Sequence, residues 1–189
     1  MKKGRCWLVH NGFSKTESTR LSLERLRQNL LSKNVDVQIK KHNLLPLYFD
    51  ESGNAVCDEE LPDFCIYWDK DVERAAMLEK CGVRVFNKSA VIELCDDKHK
   101  TFLYLSGKHI PMPETITSPR YVKNSSGEDI RIIVVGGKAV AAMKRKNNGD
   151  FRANIELGGV GEKYIPSSEQ VELSERICRL LGADYIGVD

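Results

Sequence analysis

No apolar run in this 189-residue chain exceeds the length of a β-strand; Ile132–Val135 is typical, and such runs exclude a membrane-spanning helix. The apolar run Cys6–Val9 near the basic start is likewise too short for a signal peptide, which sets a cytoplasmic location as the expectation. A strong charge of one sign is also missing. The formal net charge is +2 with the signs interleaved, so charge alone implies no nucleic-acid partner. None of the six cysteines forms a C-x-x-C pair, and the two C-x-x-x-H spacings, Cys6/His10 and Cys95/His99, lack a second ligand pair. Reduced, buried thiols are therefore expected rather than a thiolate metal site or disulfides. There is no G-x-x-x-x-G-K-[ST] loop, no G-x-G-x-x-G after the first strand-like run, and no internal repeat. What remains is a composition 41% hydrophobic and 30% charged, that of a folded globular protein.

The first half of the chain alternates strand and helix signals. Arg5–Gly12 is an apolar run ended by Asn-Gly, and Leu23, Leu26 and Leu30 mark one face of a helix from about Lys15 to Lys33. Val35–Lys41 alternates apolar and polar residues as a strand does, and Pro62–Asp69 is a further apolar run. A helical segment closed by Gly82 follows, then a strand over Val83–Asn87 and a helix from Ala90. This order predicts a parallel sheet covered by helices. The second half differs. Asp129–Arg145 reads as two strands around Gly136-Gly137, an antiparallel hairpin. Ser167–Gly182 reads as a helix capped by Ser167 or Ser168, with Leu173, Ile177, Leu180 and Leu181 inward, and Tyr185–Asp189 as a strand. The change falls in the Pro-, Ser-, Thr- and Gly-rich stretch between Gly107 and Glu128, where composition places a boundary.

Several charged residues interrupt these apolar strands. Asp129 and Arg131 stand two positions apart, on one face of a strand, and Lys144 and Arg145 close the hairpin. Arg152 and Asn154 share the same spacing within "GDFRANIELGG", and Asp189 ends the last strand. If these elements share one sheet, cations and two carboxylates converge on one surface, a set suited to a polyphosphate and its divalent metal. The alternative for each residue is a solvated charge, and the same holds for Lys98 in "CDDKHK". Spacing alone names no reaction.

The blocks "RVFNKSAVIELCDDKHKTFLYLSGKHIPMPET", "YVKNSSGEDIRIIVVGGKAVAAMKRKNNGDFRANIELGG" and "LSERICRLLGADYIGVD" are long and collinear. In them, and more loosely before them, the chain resembles the ATP-grasp superfamily and, within it, the RimK-like α-L-glutamate ligases. The resemblance implies an α/β fold: a Rossmann-like pre-ATP-grasp domain over residues 1–95, then an ATP-grasp domain over 96–189 that is incomplete. Residues 96–119 would begin its small subdomain and 120–189 form its large one. It also implies an ATP-dependent carboxylate–amine ligase using Mg²⁺ or Mn²⁺. A carboxylate would attack the γ-phosphate, and an amine would then displace phosphate from the acyl phosphate.

By the same resemblance Lys98 reaches the nucleotide phosphates, Tyr121 lies in the adenine-side linker and Asp129 is the acidic residue of the nucleotide site. Arg152 meets the γ-phosphate with Asn154 beside it, Asp189 is the first metal ligand, and Arg131 and Arg145 assist with phosphate or acceptor carboxylate. The implied partners are ATP, an amino acid such as glutamate, and a small-molecule or protein C-terminal carboxylate acceptor, with no direct nucleic acid, no membrane and a homo-oligomer allowed. Two departures stand out. Only "ITSPR" occupies the place of a further subdomain with a second lysine and a phosphate lid, and the chain stops before the family's E-x-N metal motif. The expected account is a longer protein that supplies both. The alternative is a non-catalytic, degenerate nucleotide-binding or protein-interaction module.

Overall fold

A computed structural model describes residues 3–14, 16–113, 127–147 and 159–189. The chain forms two compact units, Met1–Asp96 and Asp97–Asp189. The Pro- and Ser-rich stretch that composition marks as a boundary therefore falls inside the second unit.

In the first unit, β1 (Gly4–His10), β2 (Val35–Lys41), β5 (Phe64–Trp68) and β6 (Arg84–Phe86) make a sheet in the order β2-β1-β5-β6. Every pairing in it is parallel. Because side chains alternate across a strand, each face of β1 gathers its own core. Cys6 and Leu8 pack with Val37 and with Leu23 of α1 (Glu17–Ser32), flanked by Leu26 and Leu30. On the other face Trp7 and Val9 pack with Cys65, Tyr67, and Ala75 and Leu78 of α2 (Val72–Lys80). Asp71 caps α2 by accepting from the Arg74 amide at 3.0 Å, and α3 (Ser89–Asp96) completes the unit. Two buried thiols, Cys6 and Cys65, sit in these cores, and burial pushes the Cys6 thiol up to about 11. None of the six cysteines is joined in a disulfide.

One small element has no counterpart in the periodicity. Leu47–Phe49 (β3) and Ala55–Cys57 (β4) form an antiparallel ribbon. Its turn is organised by Asp50, whose Oδ1 accepts from the amides of Ser52 and Asn54 at 2.9 and 2.8 Å.

The second unit opens with α4 (Lys98–Leu105), capped by Asp97, which accepts from the amides of His99 and Lys100. Its sheet is antiparallel, in the order β10-β7-β8-β9, from β7 (Glu128–Val135), β8 (Lys138–Lys146), β9 (Val160–Lys163) and β10 (Tyr185–Val188). Gly136 and Gly137 join β7 to β8 with φ of 57° and 76°. Two successive positive φ values are what a two-residue hairpin turn of this hand requires, and glycine adopts them without a Cβ clash.

The helix α5 (Ser168–Leu181) packs on one face of this sheet, where Ile132, Val134 and Cys178 form the centre with Ile130, Ala142 and Ile186 around them. Ser167 and Gln170 make a capping box at its start. Its deepest positions are Ser174, Cys178 and Leu181, not the Leu173, Ile177 and Leu180 expected with Leu181 from periodicity. Ser174 tolerates burial because its hydroxyl donates to the Val171 carbonyl at 2.8 Å. Tyr104 donates to the Leu180 carbonyl and Arg176 to the Lys108 carbonyl, tying the α4 segment to α5.

Candidate functional site

The face of the second sheet turned away from α5 carries a cluster of four charged side chains. In register, Asp129 on β7 lies opposite Arg145 on β8. Val188 on β10 pairs with Ile132, so the next residue, Asp189, falls opposite Arg131. Alternation puts Asp129, Arg131, Arg145 and Asp189 on one side, because Ile130, Ile132 and Val134 fill the other.

Side-chain contacts close the set. Arg145 Nε donates to Asp129 Oδ1 at 2.6 Å and its Nη2 to Asp129 Oδ2. Arg131 Nε and Nη2 donate to the two oxygens of Asp189, each at 2.6 Å. Arg145 Nη2 also lies 3.2 Å from Asp189 Oδ2. One guanidinium nitrogen thus bridges two carboxylates from different strands.

Burial is uneven across the four. Arg145 is 3% exposed, although a guanidinium is charged at any ordinary pH. Such burial is tolerable only where counter-charges and hydrogen bonds replace water, and two carboxylates do so here. The hydrogen bond to Asp129 raises the Arg145 value further. The Arg131 and Asp189 side chains remain 36% and 42% exposed. Arg131 lies across Gly187: a Cβ at that glycine would sit 3.3 Å from Arg131 Cδ. The glycine in the middle of β10 thus leaves room for the arginine's aliphatic stem, the close approach that a glycine inside a strand often marks.

The charges on the opposite side of β7 and β8 pair separately. Glu128 accepts from Lys144 at 2.8 Å and from Lys146 at 3.0 Å. These bonds, Lys144 first and Lys146 second, hold the Glu128 carboxyl down at about 2. Lys144 is adjacent to Arg145 in sequence, but strand alternation sends it to the other face, away from the cluster.

Of the residues singled out in the sequence, Asp129, Arg131, Arg145 and Asp189 are brought together. Lys98 begins α4, a separate element from the three strands that carry the cluster. Tyr121, Arg152 and Asn154 lie outside the described residues. Gly187, Glu128 and Lys146 are not singled out by the sequence, whereas Lys144 is. A glycine between Ile186 and Val188 was the available signal for the first.

The described residues contain no group of three or more His, Cys, Asp or Glu side chains placed to hold a metal ion. Two carboxylates do converge on one point, the Arg145 Nη2 atom. Magnesium takes hard oxygen ligands and is commonly held by one or two carboxylates together with substrate phosphates. The donor set fits such an ion in chemistry, with Asp189 the more accessible carboxylate. Both its oxygens now accept from arginine, so a cation would have to displace a guanidinium.

A family model described as a RimK-like ATP-grasp domain matches residues 75–189. The human N-acetylaspartylglutamate synthase A is 26% identical over 187 residues, covering 68% of this chain and 48% of that protein. That aligned span exceeds the matched part of the present chain, so the human protein carries residues there without a counterpart. A probable α-L-glutamate ligase of a Shewanella species is 46% identical over 70 residues, 36% of this chain and 23% of that protein. The solved structure of the ATP-grasp ligase PsnB, complexed with minimal precursor, Mg and ADP, superposes with a TM-score of 0.64. It covers 97% of this chain and 83% of that one at 13% identity, a likeness of fold. The chain spans about half or less of the length of the curated relatives it matches.

Proposed function

The chain belongs to the RimK-like ATP-grasp family, and from that membership we propose that it carries the nucleotide-facing part of an ATP-dependent carboxylate–amine ligase. The observation that carries this reading is the four-residue cluster of Asp129, Arg131, Arg145 and Asp189 on one sheet face. A ligase of this kind moves negative charge twice: onto phosphate oxygens as a carboxylate attacks the γ-phosphate, and again as an amine displaces phosphate from the acyl phosphate. Prearranged cations are the main means of lowering both barriers.

In this reading Arg145, locked to Asp129, fixes that carboxylate in place, and Arg131 supplies the accessible positive group. Arg152 is assigned to the transferring phosphoryl group with Asn154 beside it, Lys98 to the nucleotide phosphates and Tyr121 to the adenine side. Asp189 would hold a magnesium ion, which when bound neutralises charge on the phosphate oxygens. Glutamate is the amino acid suggested by the names of the relatives, N-acetylaspartylglutamate synthase and α-L-glutamate ligase. A small-molecule or protein-terminal carboxylate is the acceptor class.

A phosphate-release screen tests the reading, using full-length protein with Mg-ATP over the common amino acids and a panel of carboxylate acceptors. Release that requires one amino acid and one acceptor is expected. A second reading, a binding module without catalysis, is favoured by one observation: both oxygens of Asp189 are already engaged by arginine. Mg-ATP binding by calorimetry without phosphate release under every pairing would select it.

A further inference from the structure

The two arginines of the cluster are not equivalent. Arg145 is 3% exposed and grips Asp129 through two bonds, while its contact with Asp189 is a single longer one of 3.2 Å. Arg131 directs two of its nitrogens, Nε and Nη2, at Asp189, remains 36% exposed, and rests on Gly187, which has no side chain to wedge it in place. One arginine is built in; the other has water and space around it.

Charge adds a second constraint. Two guanidinium groups and two carboxylates sum to zero, so the cluster is balanced without any ligand. Adding a divalent cation at Asp189 would leave a surplus of two positive charges on one sheet face. That surplus is relieved either by losing a guanidinium from the cluster or by taking up an anion, and the same event can do both.

We propose that Arg131 is an exchangeable counterion: a divalent cation displaces it from Asp189, and the released guanidinium becomes available to an anionic group of the substrate. The inference rests on the reading of Asp189 as a cation ligand and adds what its arginine does. Cation and anion then bind with positive coupling, since each removes the charge penalty of the other, and the coupling is reciprocal. In the absence of ligands the two hydrogen bonds from Arg131 hold the Asp189 carboxylate in place.

The test is Mn²⁺ binding to the full-length protein without nucleotide, read from the electron paramagnetic resonance of free Mn²⁺, with melting curves to confirm folding. Arg131→Met removes the competitor and should tighten Mn²⁺ binding about five- to tenfold, the range for a half-exposed forked pair. Arg131→Lys keeps the charge but loses the fork, and should move the same way by a smaller factor. Gly187→Ala, whose Cβ would crowd Arg131, should also tighten binding while leaving the arginine in the chain. In an Asp189→Asn background Mn²⁺ binding should weaken, and Arg131→Met should no longer change it.

Equal Mn²⁺ affinity in wild type and Arg131→Met, with Asp189→Asn still weakened, would overturn the exchange while sparing Asp189 as ligand. A gain confined to Arg131→Met, with Arg131→Lys matching wild type, would reduce the effect to general charge repulsion and also overturn it. Wild-type affinity in Asp189→Asn, or no Mn²⁺ binding in any variant, would remove the ligand reading and the exchange together.

Discussion

Arg145 and Asp129 face each other across β7 and β8, joined by two hydrogen bonds, with the guanidinium almost wholly shielded from water. A buried charge of this kind is a structural commitment: it is safe only while its counter-charge stays in place.

Arg145→Met should therefore destabilise the protein by about 2–3 kcal/mol, somewhat below the value for a fully buried pair because Asp129 is 31% exposed. The loss comes from leaving Asp129 without its guanidinium, beside an Asp189 that keeps Arg131. The double change Arg145→Met with Asp129→Leu should recover most of it, since apolar replacements remove the desolvation cost of both partners. Urea unfolding of the two variants checks this; equal destabilisation in both would contradict it.

The pair on the other face gives a pH signature. Glu128 is held at about 2, below its ordinary 4.5, by Lys144 and then Lys146. A depressed carboxyl contributes stability that is fully present above the unfolded value and is lost as pH falls through the folded one. The difference in stability between wild type and Glu128→Gln should thus be constant from about pH 5 to about pH 10, shrink between about 4.5 and 2, and vanish below. Lys144 is raised by the same partner, so its share is present below its ordinary 10.5 and fades at higher pH. Added salt should reduce the whole effect, because the groups are exposed. Melting curves across pH for both proteins decide it; a gap that persists unchanged to pH 2 would be the contrary result.

Arg152→Ala should lower amino-acid-dependent ATP turnover by at least about 100-fold in the full-length protein, the scale for losing one prearranged charge-stabilising donor. Its melting curve should match wild type. Turnover at the wild-type rate would remove Arg152 from the reaction.

Much of this site was legible because strand alternation is a strict rule. Asp129 and Arg131, two apart around Ile130, share a face by that rule, but the pairing does not follow from the Gly136-Gly137 turn alone: a bulge beyond Ile133 shifts the register by one and brings Arg145, rather than Lys144, opposite Asp129. What the pattern could not supply was strand order. Nothing local says that β10 lies beside β7, and it is this adjacency that hands Asp189 to Arg131 and makes the cluster neutral rather than cationic. The same alternation separated Lys144 from Arg145, which adjacency in the chain had grouped together. The ribbon of β3 and β4 and the edge strand β9 escaped notice because three or four residues are too few to show a period. On α5 the buried stripe runs through Ser174 and Cys178, residue types whose polarity hid them from a search for leucine spacing.

The central claim is that a carboxylate is activated by phosphorylation on this scaffold. Its most direct measurement uses ¹⁸O-labelled acceptor carboxylate with Mg-ATP, the amino acid found in the screen and full-length protein, followed by mass analysis of the released phosphate. The account predicts one ¹⁸O atom carried from acceptor to inorganic phosphate in each turnover. Product formed with phosphate free of label would contradict it.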